Sequence, residues 1–109
     1  MISIIVPTFN EEKTIENFLK EIKRLNLKNF ELIIVDDSFD RTAEIAKKLM
    51  KKLRIKGKVL KRIGKSGKGS AIRDGLKISK GEKIVLVDAD LQYPIEKIPF
   101  LIEKLEECD

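Results

Sequence analysis

Apolar positions along this chain alternate between short unbroken runs and stretches where they recur every three or four residues. Ile2 to Val6 is an apolar run ended by Pro7, and behind it Ile15, Phe18, Leu19, Ile22 and Leu25 fall at helical spacing, which predicts a strand followed by a helix. Phe30 to Val35 is a second run, rich in β-branched residues and stopped by Asp36 and Asp37, after which Ala43, Ala46, Leu49, Met50 and Leu53 repeat in the helical manner. Lys58 to Ile63 is a shorter third strand carrying several charges. Gly64, Gly67 and Gly69 break it ahead of a helix with Ala71, Ile72, Gly75 and Leu76, which Gly81 is expected to close. Ile84 to Val87 is the fourth strand, and beyond Asp88 to Gln92 two prolines punctuate a last helix that turns Leu101, Ile102 and Leu105 inward.

Strands alternating with helices imply an α/β fold with a parallel sheet, because parallel neighbours need a crossover, and right-handed crossovers restrict the order of the units. The first and fourth strands, apolar nearly throughout, are expected at the centre, and the charged third strand at an edge. The order 3-2-1-4 meets these conditions, in a Rossmann-like three-layer α/β/α arrangement over residues 1–109 as a single domain. In such a sheet, ligands bind beyond the carboxyl ends of the strands where the direction of growth reverses. That places the segments Pro7–Glu11 and Asp88–Gln92 around one crevice, with Asp36 and Asp37 beside it.

Composition narrows the chemistry. With 109 residues, 42% of them hydrophobic, the chain can bury one core. There is no histidine, and the single cysteine, Cys108, has no internal partner, so zinc sites and histidine-based acid–base catalysis are excluded. No apolar run approaches the about 20 residues needed to cross a bilayer, and the N-terminus lacks a basic segment before its apolar stretch, so a cytoplasmic location is expected. Eleven basic residues and no acidic ones lie between Lys47 and Lys68. That segment could attract phosphates, although Lys47, Lys48, Lys51 and Lys52 read more simply as the solvent face of a helix.

Asp88 and Asp90 stand two apart after a buried strand, so an extended backbone turns both carboxylates to the same side. Two hard oxygen donors with no histidine or usable cysteine nearby suit Mg²⁺ or Mn²⁺, and Gln92 could add an amide oxygen. Asp36 and Asp37 point to opposite faces by the same alternation. One can brace the following helix, where Ser38 and Asp40 are available as caps, while the other faces the cleft and accepts a hydrogen bond from a base or ribose. The plainer reading makes them loop acids beside a helix N-terminus. Gly64-Lys65-Ser66-Gly67-Lys68-Gly69-Ser70 is not a phosphate-binding P-loop: the required first glycine falls on Val59, and Gly67-Lys68 is followed by Gly69. It is not a dinucleotide fingerprint either, since the third glycine falls on Ile72. What remains is a glycine-rich turn into a helix, with Lys65, Lys68 and Arg73 near its N-terminus.

Four segments together resemble the inverting glycosyltransferases of the GT-A fold that include dolichol-phosphate mannose and glucose synthases. They are Val6-Pro7-Thr8-Phe9-Asn10-Glu11, Ile34-Val35-Asp36-Asp37-Ser38, Gly67 through Gly75, and Val87-Asp88-Ala89-Asp90-Leu91-Gln92-Tyr93-Pro94. The resemblance runs from Ile2 to about Leu105 and covers the N-terminal half of the family's fold. It implies that Pro7, Phe9 and Glu11 border a nucleotide, that Val35 and Asp37 hold its base, and that Asp88, Ala89 and Asp90 meet the diphosphate through the metal, with Gln92 as a further ligand. Phe9 stands where the family more often has tyrosine, which keeps the stacking face and loses a hydroxyl. The donor implied is a GDP- or UDP-linked sugar, and the acceptor a polyprenyl phosphate or similar group at a membrane surface, which would make the protein peripheral to the membrane. The family's second half normally supplies acceptor contacts and the base that deprotonates the acceptor; Glu11 and Asp36 lie in the right region for that base, but the resemblance assigns Glu11 to the nucleotide and gives Asp36 no catalytic task.

Three other readings compete: a nucleotide-binding module without transfer activity, a receiver-type signalling domain, and a nucleic-acid binder using the basic segment. The signalling reading is weakened because the first strand ends in Pro7-Thr8-Phe9-Asn10 rather than in an acid pair. A fourth strand without its family neighbours would leave an apolar edge, from which self-association is expected.

Overall fold

Ile2–Thr8 (β1) and Phe30–Asp36 (β2) are buried along almost their whole length and form the middle of the sheet, in a computed structural model that describes residues 1–90 and 94–107. Gly57–Lys61 (β3) and Lys83–Leu86 (β4) flank them, all parallel, in the order β3-β2-β1-β4. The connections are Ile15–Arg24 (α1), Thr42–Lys52 (α2) and Lys68–Ile78 (α3), and a short 3-10 turn at Ile95–Lys97 leads into Ile98–Glu106 (α4). The predicted order holds. The strand expected beside β1 at the centre does not: β4 is the second edge among the described residues, and the inner partner of β1 is β2, whose two faces are both covered.

Alternation along the strands divides the core in two. Ile2, Ile4 and Val6 of β1 and Leu32 and Ile34 of β2 face α1, α2 and α4, where Phe18, Leu19, Ile22, Ala46 and Ile98 complete the larger cluster. Ile5, Ile33 and Val35 face α3 and meet Ala71. This second layer is thin, a single helix drawn close to the sheet at Gly75, where a Cβ would stand 2.8 Å from Cγ2 of Ile5 and 3.1 Å from Cγ2 of Val35. Because α3 lies over β1 and β2, Leu86 on the same face of β4 stays 48% exposed.

Two sequence expectations at element ends are revised. Pro7 does not end β1, which continues beside β2 to the pair Thr8 and Asp36; it ends only the pairing with β4, whose last partners are Ile5 and Leu86. The cause is the missing amide. Ile5 accepts from Val87 on the β4 side and Thr8 accepts from Asp37 on the β2 side, so the absent N–H of Pro7 falls on the β4 side. β1 and β4 part there, and the crevice opens. Gly81 does not close α3, which ends at Ser79. Its N–H donates instead to Oγ of Ser3 at 2.8 Å, in a contact so close that a Cβ would stand 2.7 Å from the Ser3 nitrogen. Glu31, buried in β2, accepts from Oγ of Ser3 and from the amide of Lys80, each at 2.6 Å, fastening the same turn. Burial pushes the Glu31 carboxyl up, but the hydrogen bonds from Ser3, Lys80 and Gly81 outweigh it and leave its pKa lowered.

Candidate functional site

The parity of the strands decides which acids can share a cleft. Thr8 and Asp36 project to the α1 and α2 side of the sheet, whereas Pro7, Asp37 and Asp88 project to the α3 side, above that helix's N-terminus. A cleft of about 370 Å³ lies at that rim, lined by Pro7, Thr8, Phe9, Glu11, Asp37, Ser66, Gly67, Lys68, Ala71 and Asp88. It therefore joins segments that follow all four strands. A second concavity at the opposite end of the sheet, bounded by Ile22, Asn26, Arg54 and Lys56, contains none of the sequence-predicted site residues.

The floor of the cleft is rigid because its loops are laced together. Asp36 is fully buried and accepts from Oγ1 of Thr8 and Oγ of Ser38, each at 2.6 Å, and from Nζ of Lys61 at 3.3 Å. Asn10, in the left-handed region at φ 52°, donates its amide to Oγ of Ser38 at 2.7 Å and accepts from the amide of Phe39 at 2.9 Å. The amide of Glu11 donates to Oγ1 of Thr42 at 2.9 Å, and Oγ1 of Thr14 donates to the Glu11 carboxylate at 3.1 Å. Asp40 accepts from the amide of Thr42 at 2.9 Å ahead of α2 and from the amide of Glu12 at 3.3 Å. Desolvation raises the Asp40 pKa, but hydrogen bonds from Thr42 and Glu12 more than offset that and leave it lowered.

Asp37 is held differently. Its two carboxylate oxygens receive Nε and Nη2 of Arg62, at 2.7 and 2.5 Å, in a forked ion pair with side chains 10% and 2% exposed. The Asp37 hydrogen bond, the largest influence, raises the Arg62 pKa. Asp74, 15% exposed, pairs with the same guanidinium at 3.2 Å, and that hydrogen bond leads the causes that lower its pKa. Nothing in the periodicity marks Arg62 or Asp74: Arg62 falls inside the expected third strand reaching Ile63, whereas β3 ends at Lys61, and Asp74 is undistinguished within the Gly67–Gly75 segment.

Of the residues predicted from sequence, Pro7, Phe9, Glu11, Asp37 and Asp88 come together at the cleft. Phe9 is 57% exposed and meets Phe39 edge-on at 6.1 Å, so the cleft mouth carries an aromatic pair of which sequence reasoning named one member. Val35 and Ala89 lie elsewhere: their side chains are in the core, Val35 against Ile5 and Ala71, Ala89 in the larger cluster, so only their backbones could reach a ligand. Asp88 accepts Nζ of Lys68 at 2.8 Å, and Asp90 is exposed. Lys68 thus lines the cleft, whereas Lys65 turns to Asp74 at 3.4 Å and Arg73 is not among the lining residues. Gln92 lies outside the described residues.

Carboxylate oxygens such as those of Asp88 and Asp90 are hard donors of the kind Mg²⁺ accepts. Among the described residues, however, no three acidic, histidine or cysteine side chains converge, and of the two aspartates only Asp88 lines the cleft.

Comparison with known proteins identifies the family. Residues 3–109 match the description of glycosyl transferase family 2. The chain belongs to this family. It is 41% identical over 107 residues to a dolichol-phosphate mannosyltransferase of Pyrococcus furiosus, an alignment covering 96% of this chain and 30% of that relative. S. aureus TarS 1–349 in complex with UDP-GlcNAc superposes with a TM-score of 0.82 at 31% identity, over 97% of this chain and 31% of that one. A mannosyltransferase of Pyrobaculum calidifontis in complex with GDP-Man and Mn²⁺ gives a TM-score of 0.76 at 28% identity, over 82% of this chain and 27% of that one. The chain spans about a third of the length of each of these relatives. Membership in family 2 leaves the signalling-domain reading without support.

Proposed function

We propose that this chain binds the donor of a glycosyl transfer, a GDP- or UDP-linked hexose, with Mg²⁺ or Mn²⁺, in the cleft above α3. The observation that supports it best is the convergence of Phe9, Asp37, Lys68 and Asp88, from four separate loops, on one concavity. Each can do one part of the work. Phe9 offers a face for a base, Asp37 and Glu11 offer acceptors for its N–H groups or for ribose hydroxyls, and Lys68 offers an ammonium to phosphate. The N-terminus of α3 has no side-chain cap, so its first amides are available to an anion at the same place. Asp88 and Asp90, with Gln92, would hold the cation. When bound, that ion supplies charge neutralisation for the departing diphosphate.

The neighbours in complex with UDP-GlcNAc and with GDP-Man and Mn²⁺ support this donor class, and the named mannosyltransferase relative supports a polyprenyl-phosphate acceptor. No described helix is long and apolar enough to cross a membrane, and we place the protein at the membrane periphery, where such an acceptor would be met. The apolar edge formed by Ile84, Leu86, Leu101 and Leu105 supports self-association, and a monomeric mass at tens of micromolar would contradict that part.

Calorimetric titration with GDP and UDP, with and without Mn²⁺, tests the reading on the unmodified chain and on Asp90→Ala. Metal-dependent heat that the variant loses is expected; equal heat from both proteins would remove the metal site. Donor binding with no transfer to any acceptor would instead favour the non-catalytic module.

A further inference from the structure

Arg62 does not line the cleft, yet it is the most heavily engaged side chain near it. It sits one residue past β3, its amide prolonging the ladder to the carbonyl of Asp36 at 2.9 Å, and its side chain is only 2% exposed. Nε and Nη2 take the two oxygens of Asp37; Nη1 donates to Oγ of Ser70 at 2.7 Å and to Asp74 at 3.2 Å; Nη2 also donates to the carbonyl of Gly67 at 3.2 Å. These contacts match the five N–H donors of a guanidinium, each with a receiver.

We infer that Arg62 is a positioning residue for recognition of the nucleotide base, acting through Asp37. The inference rests on the proposed function above. A carboxylate on a flexible loop can rotate, and a hydrogen bond to a base then costs the entropy of fixing it. The fork on Asp37 fixes the plane of the carboxylate by one edge while each oxygen keeps a lone pair, and Asp37 lines the cleft with its side chain 10% exposed. The fork is itself anchored to the first turns of α3 through Ser70, Asp74 and Gly67. Base recognition is thereby referred to the helix that forms the wall of the cleft and that lies far from Asp37 in sequence. A lysine at this position could supply the charge but not the fork.

A strut that merely joined β3 to α3 would alter stability and leave ligand preference alone, so the decisive readout is selectivity. Affinities for GDP, UDP and inorganic pyrophosphate are measured in Mn²⁺ on the unmodified chain, Arg62→Lys, Asp37→Asn and the double variant, with circular dichroism as the check on folding. Arg62→Lys is expected to weaken the preferred nucleoside diphosphate on the order of tenfold, to leave pyrophosphate unchanged and to narrow the difference between the two bases. Asp37→Asn is expected to add little in the Arg62→Lys background. Asp74→Asn, outside the cleft lining and milder for folding, is expected to move selectivity in the same direction by a smaller factor. Unchanged selectivity in both Arg62→Lys and Asp74→Asn would overturn the inference while leaving donor binding intact. An unmodified chain that binds pyrophosphate but no nucleoside diphosphate would overturn both.

Discussion

The two sides of the rim that ends β2 are built from adjacent residues of the same type and held by opposite means. On the α1 and α2 side, Asp36 is surrounded by hydroxyls and amides, with Lys61 as a partly exposed counter-charge, and its loop is laced to the loop after β1 through Ser38, Asn10 and Thr42. On the α3 side, Asp37 and Asp74 share one buried guanidinium. Small neutral groups can be satisfied locally at modest cost, whereas a buried charge needs its partner in place or carries a large desolvation penalty. The first side is a brace. The second is an anchored carboxylate that lines the cleft.

The sharpest way to test this contrast is Arg62→Met, which strands Asp37 and leaves Asp74 with only its exposed lysine partners. It is expected to cost about 3–5 kcal/mol, a large part of the stability of a domain this size, read from urea unfolding. Asp36→Asn removes a charged acceptor from a network whose other members can still pair with one another. A loss of about 1–3 kcal/mol is expected, with nucleotide affinity little changed. A larger loss than for Arg62→Met would erase the distinction between the two sides.

Acid titration reads the same contrast on the intact chain. Asp40, Asp74 and Glu31 have lowered pKa values in the folded protein, so their contribution is fully present above the unfolded values near pH 4 and is lost as the pH falls through the folded ones. Thermal melts are therefore expected to hold steady above about pH 5 and to fall below pH 4, and more shallowly at the acid end in Asp74→Asn. The smallest effect on stability is expected from Lys68→Met. Its ion pair with Asp88 is solvent-facing, with side chains 64% and 46% exposed, so a change below about 1 kcal/mol is expected. The same variant is expected to weaken pyrophosphate binding, which separates a residue serving ligand from one serving the fold.

The four strand and helix units, the order of the sheet and the rim where Pro7, Asp37 and Asp88 line one cleft were all legible in the chain, because spacing of apolar residues is a local property and the right-handed crossover leaves few ways to connect it. The same alternation separated Asp36 from Asp37. Tertiary structure alone decided the rest. That β4 is an edge among the described residues, that Gly81 presses on Ser3 instead of ending a helix, and that Val35 and Ala89 turn their side chains into the core all depend on what lies opposite each residue. Arg62 shows the reason most clearly: one of eleven basic residues in an unbroken basic stretch, it differs from the others because its side chain enters the space between the end of β2 and the start of α3. Charge is written in the sequence, but the partner that gives a buried charge its role is set by packing.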